Sequence, residues 1–234
     1  MFSVDKDILQ FLCGYLGKSD DQAFKCCSDF AYRDMCRTIT FAASFKEKEP
    51  GKNESAQAKS IRLAQNKMIR NEKQKRRKSV TALIQMRVEY LLKNPPKSHD
   101  EFNRVHESIC KAITNEYKGT TDQGEKDGSL FYGQAQKWLN MTLKNLYVYS
   151  KCNDTKLDMN KLVPYMHVPI DSIIINEAKK IGVEATSASW SIMDKDEYIS
   201  YQEELRKMIK KKSPHEDPIL WEIKKWNQIA RNGN

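Results

Sequence analysis

Apolar residues recur along most of this chain at intervals of three and four, the spacing of helices with one buried face. Val4, Ile8, Phe11, Leu12 and Tyr15 predict a first helix over residues 3–16, stopped by Gly17. Phe24, Cys27, Ala31, Met35, Thr38 and Ala42 predict a second, from Asp20 to about Phe45. Strand propensity in Thr38-Ile39-Thr40-Phe41 competes with that reading. Residues 46–57 contain Pro50-Gly51 and few apolar side chains, so they read as a linker. Ile61, Ala64 and Met68 suggest another helix, but residues 73–79 have no apolar anchor and read as a loop or helix end. Val80 to Leu92 is a strongly apolar helix that Asn94-Pro95-Pro96 ends.

Ser98 with Glu101 is a capping box ahead of Phe102, Val105, Ile109, Ile113 and Tyr117. Residues 118–128 read as a loop. From Ala135 the longest clean amphipathic pattern runs through Trp138, Leu139, Thr142, Leu146 and Tyr149. Gly133, Gln136, Lys137, Asn140 and Lys144 fall on its other side, which places Lys137 on an outward polar ridge. Pro169 excludes the helical state for the residue before it, so a further helix should start at Asp171 or Ser172 and stop at Gly182. In that position Asp171 is an N-cap candidate. Asp194 with Glu197, and Asp217-Pro218, open two more helices, which carry Tyr198, Gln202, Leu205 and Ile209, and then Ile219, Leu220, Ile223 and Trp226. The expected fold is all-α: one multi-helix domain, or two lobes over residues 1–117 and 118–234.

Charge changes the picture from fold to partner. The 234 residues hold 40 Lys and Arg against 31 Asp and Glu, a net charge of +9, which favours a polyanion such as nucleic acid. Between Lys59 and Lys78 nine cations face one acid, Glu72. Arg62, Arg70, Lys75, Arg76 and Arg77 are candidate phosphate contacts within that run. The competing reading is a solvated surface. In the second helix, Arg33 and Arg37 could meet an anion, or Asp34 could pair with either of them.

No apolar run is long enough to span a membrane. The N-terminal residues include Asp5 and Asp7 and lack a signal-peptide pattern, so a cytoplasmic chain is expected. Cys13, Cys26, Cys27, Cys36, Cys110 and Cys152 form no C-x-x-C pair, and His99, His106, His167 and His215 are dispersed. No metal site or cofactor is therefore expected, and the thiols read as reduced and buried. Rossmann and P-loop motifs and the G-x-S-x-G of hydrolases are absent from the sequence.

Gly128-Ser129-Leu130-Phe131-Tyr132-Gly133 suits a turn into a helix, whose free amide groups could seat an anion. Gly133-Gln134-Ala135-Gln136-Lys137, followed by Val168-Pro169-Ile170-Asp171, resembles the helix-hairpin-helix DNA glycosylases of the 8-oxoguanine glycosylase-like branch, over residues 128–182. The resemblance implies that the hairpin grips DNA phosphate, that Lys137 attacks the sugar C1′ and that Asp171 stabilises the sugar cation. Gly133, Gln134, Gln136, Asn140 and Lys144 would line that DNA contact. This chain departs from the family pattern in Ala135 for the second glycine, in a longer Lys-to-Asp interval and in the missing Leu-Pro lead. Those departures favour the alternatives: a helical DNA- or RNA-binding protein without catalysis, or a helical scaffold for an acidic protein partner.

Overall fold

Most of the helices begin where a short polar side chain takes up a free amide. In the computed structural model, which describes residues 19–117, 130–184 and 186–232, α1 spans Asp20–Met35, α2 Ala56–Lys93, α3 His99–Glu116, α4 Tyr132–Cys152, α5 Ser172–Lys180, α6 Lys195–Lys212 and α7 Pro218–Asn232. Ser19, Ser55, Ser98, Asp171 and Asp194 cap α1, α2, α3, α5 and α6. At Ser98 the box is altered: Ser98 accepts from the Glu101 amide, while the Glu101 carboxylate accepts from the Lys97 amide at 2.8 Å. Gly182, at φ +94°, closes α5 with the left-handed turn that glycine adopts without strain. There is no strand among the described residues. The helix expected over residues 3–16, the Gly128-Ser129 turn and Cys13 lie outside them.

Two expected boundaries move. α1 ends at Met35, ten residues before Phe45, and a 3₁₀ turn, Cys36–Thr38, leads into extended backbone at Ile39. The β-branched run Thr38-Ile39-Thr40 disfavours helix, and Gln134 Nε2 donates to Thr38 O at 2.9 Å to hold the exit. Residues 73–79, expected as a loop, lie inside α2, a 38-residue rod about 57 Å long. Their apolar support comes from elsewhere in the chain. Lys73 lies 4.0 Å from the Phe41 ring centroid, and the Arg76 guanidinium 4.8 Å from that of Phe45. Glu72 pairs with Arg76 one turn on, at 3.1 Å.

The chain forms a single globular helical domain around α4. Seventeen consecutive residues of α4, from Gly133 to Tyr149, are buried. α1 packs along α4 on one side, with α3 beside it. One apolar cluster joins α1, α4, the C-terminal half of α2, α3 and residues 157–166. A second holds Val168, Ile170, α5, α6 and Trp221. α4 thus belongs with the N-terminal helices, and the interior does not divide at residue 117.

Candidate functional site

Because α4 is buried on all sides, its polar residues have to be satisfied inside the protein. Lys137 is 1% exposed, so it does not stand on an outward ridge. Its Nζ donates to Asp171 Oδ2 at 2.6 Å and lies 3.5 Å from Asp34 Oδ2. The structure therefore brings together the two residues singled out as amine and acid, 34 positions apart. It does so away from solvent. Asp171 divides its oxygens, with Oδ1 accepting from the Ile174 amide at 2.9 Å as the α5 N-cap and Oδ2 meeting Lys137. Asp34 reaches across from α1 to Lys137, so the pairing expected with Arg33 or Arg37 is replaced.

Two turns along α4, Lys144 Nζ donates to Glu222 Oε1 of α7 at 2.7 Å. Glu222 is fully buried, and its Oε2 has no hydrogen-bond partner among the described residues. Burial pushes the Glu222 carboxyl above its usual range against the pull of Lys144, with smaller influences from Lys137 and Asp171. The two ion pairs thus share one interior. Glu222 carries no local sequence signal of this role, because its partner is 78 residues away.

The extended segment Val168-Pro169-Ile170 that delivers Asp171 is clamped by two side-chain amides. Gln202 Nε2 donates to Val168 O at 2.6 Å, and its Oε1 accepts from the Val168 amide at 3.1 Å. Gln136 does the same to Ile170, at 3.2 and 3.4 Å. Each amide substitutes for a neighbouring strand. Asn140 continues the network: its Nδ2 donates to Gln136 Oε1 at 3.0 Å and to Tyr198 Oη at 2.7 Å. Tyr198 Oη also accepts from Gln202, so its own hydrogen goes to His167 Nδ1 at 2.9 Å, and His167 Nε2 donates to Asn103 Oδ1 at 2.8 Å. His106 Nε2 donates to Asn140 Oδ1 at 3.0 Å, leaving Nδ1 to accept from Tyr132. This proton assignment satisfies every member with both imidazoles neutral.

Their rings lie 4.5 Å apart and fully buried, so a charge on either is penalised. Burial brings His106 down to about 4 and His167 well below the ordinary range, where their proximity adds to the effect. In the unfolded chain both titrate near 6.5, so the unfolded state takes up more protons as pH falls below that value. Stability is therefore expected to be full above about pH 6.5 and to fall towards pH 4, with His106 contributing on the order of 3 kcal/mol. Glu222, whose carboxyl is raised, acts in the opposite direction over the acidic range. Urea midpoints measured from pH 7.5 to 4.5 test this, and an unchanged midpoint would contradict the neutral, buried pair.

The start of α4 is sealed as well. The Gly133 amide donates to Met193 O at 3.0 Å, and the Gln134 side chain accepts from the Phe131 amide at 3.0 Å. A Cβ on Gly133 would lie 1.9 Å from Trp190 O. Glycine is required here for the close passage of the Trp190-Ser191 backbone, and not to admit a phosphate. Gly133, Gln134, Gln136, Asn140 and Lys144 are all buried, so the structure places these five inside the protein and not on its surface.

The basic candidates sit differently. Arg62, Arg70, Lys75, Arg76 and Arg77 all lie on α2, ahead of the point where Val80 enters the core. Arg62 is held by Glu54 through two bonds of 2.7 and 2.9 Å, Arg70 by Glu47 at 3.3 Å, Arg76 by Glu72, and Arg77 by Asp29 at 3.1 Å. Lys59, Lys67, Lys75 and Lys78 are exposed, with no carboxylate within 4.0 Å among the described residues. Between α1 and this stretch lies a cleft of about 330 Å³ lined by Tyr32, Arg70, Asn71, Lys73, Gln74 and Arg77. The basic run was legible in the sequence, whereas the contributions of Asn71, Gln74 and Tyr32 were not. Among the described residues no group of three or more His, Cys, Asp or Glu could hold a metal ion, and no helix is long and apolar enough to cross a membrane. Compared with family models, curated proteins and solved structures, the chain matches none of them.

Proposed function

We propose that this protein binds nucleic acid through the N-terminal half of α2 and that the Lys137–Asp171 pair is structural. The observation that carries this reading is the row of exposed lysines, Lys59, Lys67, Lys75 and Lys78, without an ion pair among the described residues, on a rigid helix beside four arginines. Each phosphate that such a row neutralises releases a counterion, which favours binding at low salt. Four engaged lysines correspond to a log–log salt slope of about −3 to −4. Lys75→Gln and Lys78→Gln should each reduce that slope by about one while leaving the melting temperature unchanged. Fluorescence anisotropy with labelled oligonucleotides across a salt series provides the test. Absence of binding, or binding indifferent to salt, would remove the proposal.

The 2.6 Å contact between Lys137 and Asp171 favours a second reading, base excision of the glycosylase type. That chemistry needs the amine of Lys137 to reach a sugar carbon. Here the nitrogen is enclosed by two carboxylates and shut off from solvent, so the reading requires α4 and α5 to part. Borohydride trapping on lesion-containing duplexes decides it, since a covalent adduct lost in Lys137→Met would restore catalysis. Ile61 and Met68, exposed on the same half of α2, favour a third reading, a protein partner, which nuclease-resistant capture would reveal.

A further inference from the structure

One stripe of α2 changes character partway along. Val80, Ile84, Val88 and Leu91 lie on the stripe that enters the core. Continued towards the N-terminus at steps of three and four, the same stripe reads Arg77, Lys73 and Arg70. Where the helix passes beyond the core, its inward side is therefore basic, and it overhangs Tyr32 of α1 to form the cleft of about 330 Å³. None of the six lining side chains is acidic.

Three cations, Arg70, Lys73 and Arg77, give the cleft its charge. Tyr32 forms the floor, with its Oη turned to the buried Tyr117 and accepting from it at 2.8 Å. Arg77 is paired through Nε with Asp29 at 3.1 Å, on the side away from solvent. The Arg77 guanidinium also lies 5.5 Å from the Tyr32 ring centroid, which fixes its plane. Partial burial lowers the Lys73 pKa, a sign of a cation stripped of some water. The Arg70–Glu47 pair is largely exposed and readily exchanged. Together these groups make a concave, cationic recess that suits an anion.

We propose that the cleft seats one phosphodiester, with its attached sugar, of a single-stranded nucleic acid. This rests on the nucleic-acid reading above and adds the strand state to it. The volume lies at the low end of the roughly 300–1,000 Å³ typical of small-ligand sites, which suits one nucleotide unit. The convex backbone of a duplex can lie along the exposed lysines but cannot enter a recess of that size. A single strand can bend a phosphate into it and stack its bases outside.

The test compares a short ribo-oligonucleotide, its deoxyribo counterpart and the duplex of the same sequence, using anisotropy with the full chain. Lys73→Gln and Arg77→Gln should each weaken single-strand binding about tenfold, the scale of one lost charge-assisted contact. Lys67→Gln and Lys78→Gln, outside the cleft, should weaken it about two- to threefold. On duplex, the cleft and outer variants should behave alike. Melting curves check each fold, and Lys73→Gln stands in if Arg77→Gln unfolds, because among the described residues Lys73 rests on the Phe41 ring and forms no ion pair within 4.0 Å, with Glu47 acting on it from further off. Equal losses for cleft and outer variants on single strands, or a duplex bound as tightly and as sensitively as the strand, would overturn the cleft while sparing the broader reading. Absence of salt-dependent binding to all three ligands would overturn both.

Discussion

Asp171→Asn and Lys137→Met are each expected to destabilise the fold by about 3–5 kcal/mol, the scale on which one half of a buried ion pair is lost. Asparagine keeps an oxygen for the Ile174 amide, so the helix cap survives and the loss isolates the charge. What remains is an ammonium 1% exposed, with Asp34 at 3.5 Å the one remaining carboxylate within 4.0 Å among the described residues. In Lys137→Met the roles reverse, and Asp171, 9% exposed, loses its cation. The double variant should recover much of the combined loss, because a neutral amide beside a thioether strands no charge. Asp34 is 30% exposed at its side chain and can take water instead. Urea titrations of the four proteins form a thermodynamic cycle with an expected coupling of at least about 1 kcal/mol. Strict additivity, or single losses below 1 kcal/mol, would show that the pair does not hold the structure. The same variants separate structure from catalysis, since a nucleophile would lose activity while stability stayed intact.

Gly133→Ala is expected to cost at least about 3 kcal/mol, beyond the usual range for overpacking. The added Cβ would fall 1.9 Å from Trp190 O and 3.0 Å from Trp190 C, and both are backbone atoms. Backbone cannot rotate out of the way as a side chain does. The displaced segment also supplies Met193 O, which accepts from the Gly133 amide, so relief of the clash would break that bond. Gly51→Ala is the matched control: its Cβ would meet only Glu54 Cβ, at 3.9 Å. Thermal melts of the two should differ by many degrees. An unperturbed Gly133→Ala would mean that the Trp190-Ser191 strand of chain does not run where it is placed.

The difference between those two glycines shows what a sequence conceals. Both are small and local, yet one touches a backbone 57 positions away along the chain. α4 shows the same on a larger scale. Its pattern of Trp138, Leu139, Thr142, Leu146 and Tyr149 against Gln136, Lys137, Asn140 and Lys144 is that of a surface helix. Periodicity assigns polar residues to water because water is their commonest partner. Here the partners are Ile170, Asp171, His106, Tyr198 and Glu222, 34 to 78 residues distant. The glycosylase resemblance picked out Lys137 and Asp171 as a pair, and the two do meet, but it carried no information about whether solvent reaches them.

What the amino-acid order determined by itself is whatever depends on neighbours within one helical turn. Ser98, Asp171, Asp194 and Pro218 start helices, and Gly182 ends one, because a cap acts on an amide or carbonyl three or four residues away. The all-helical class and the basic run from Lys59 to Lys78 were legible for the same reason. Tertiary structure alone decided that α2 continues through residues 73–79, since Phe41 and Phe45 support it from a separate segment. It alone turned the polar side of α4 inward and set Tyr32 under Arg77. In each case the deciding contact is between groups far apart in the chain, and burial, which sets the worth of a charge, is a property of the whole fold.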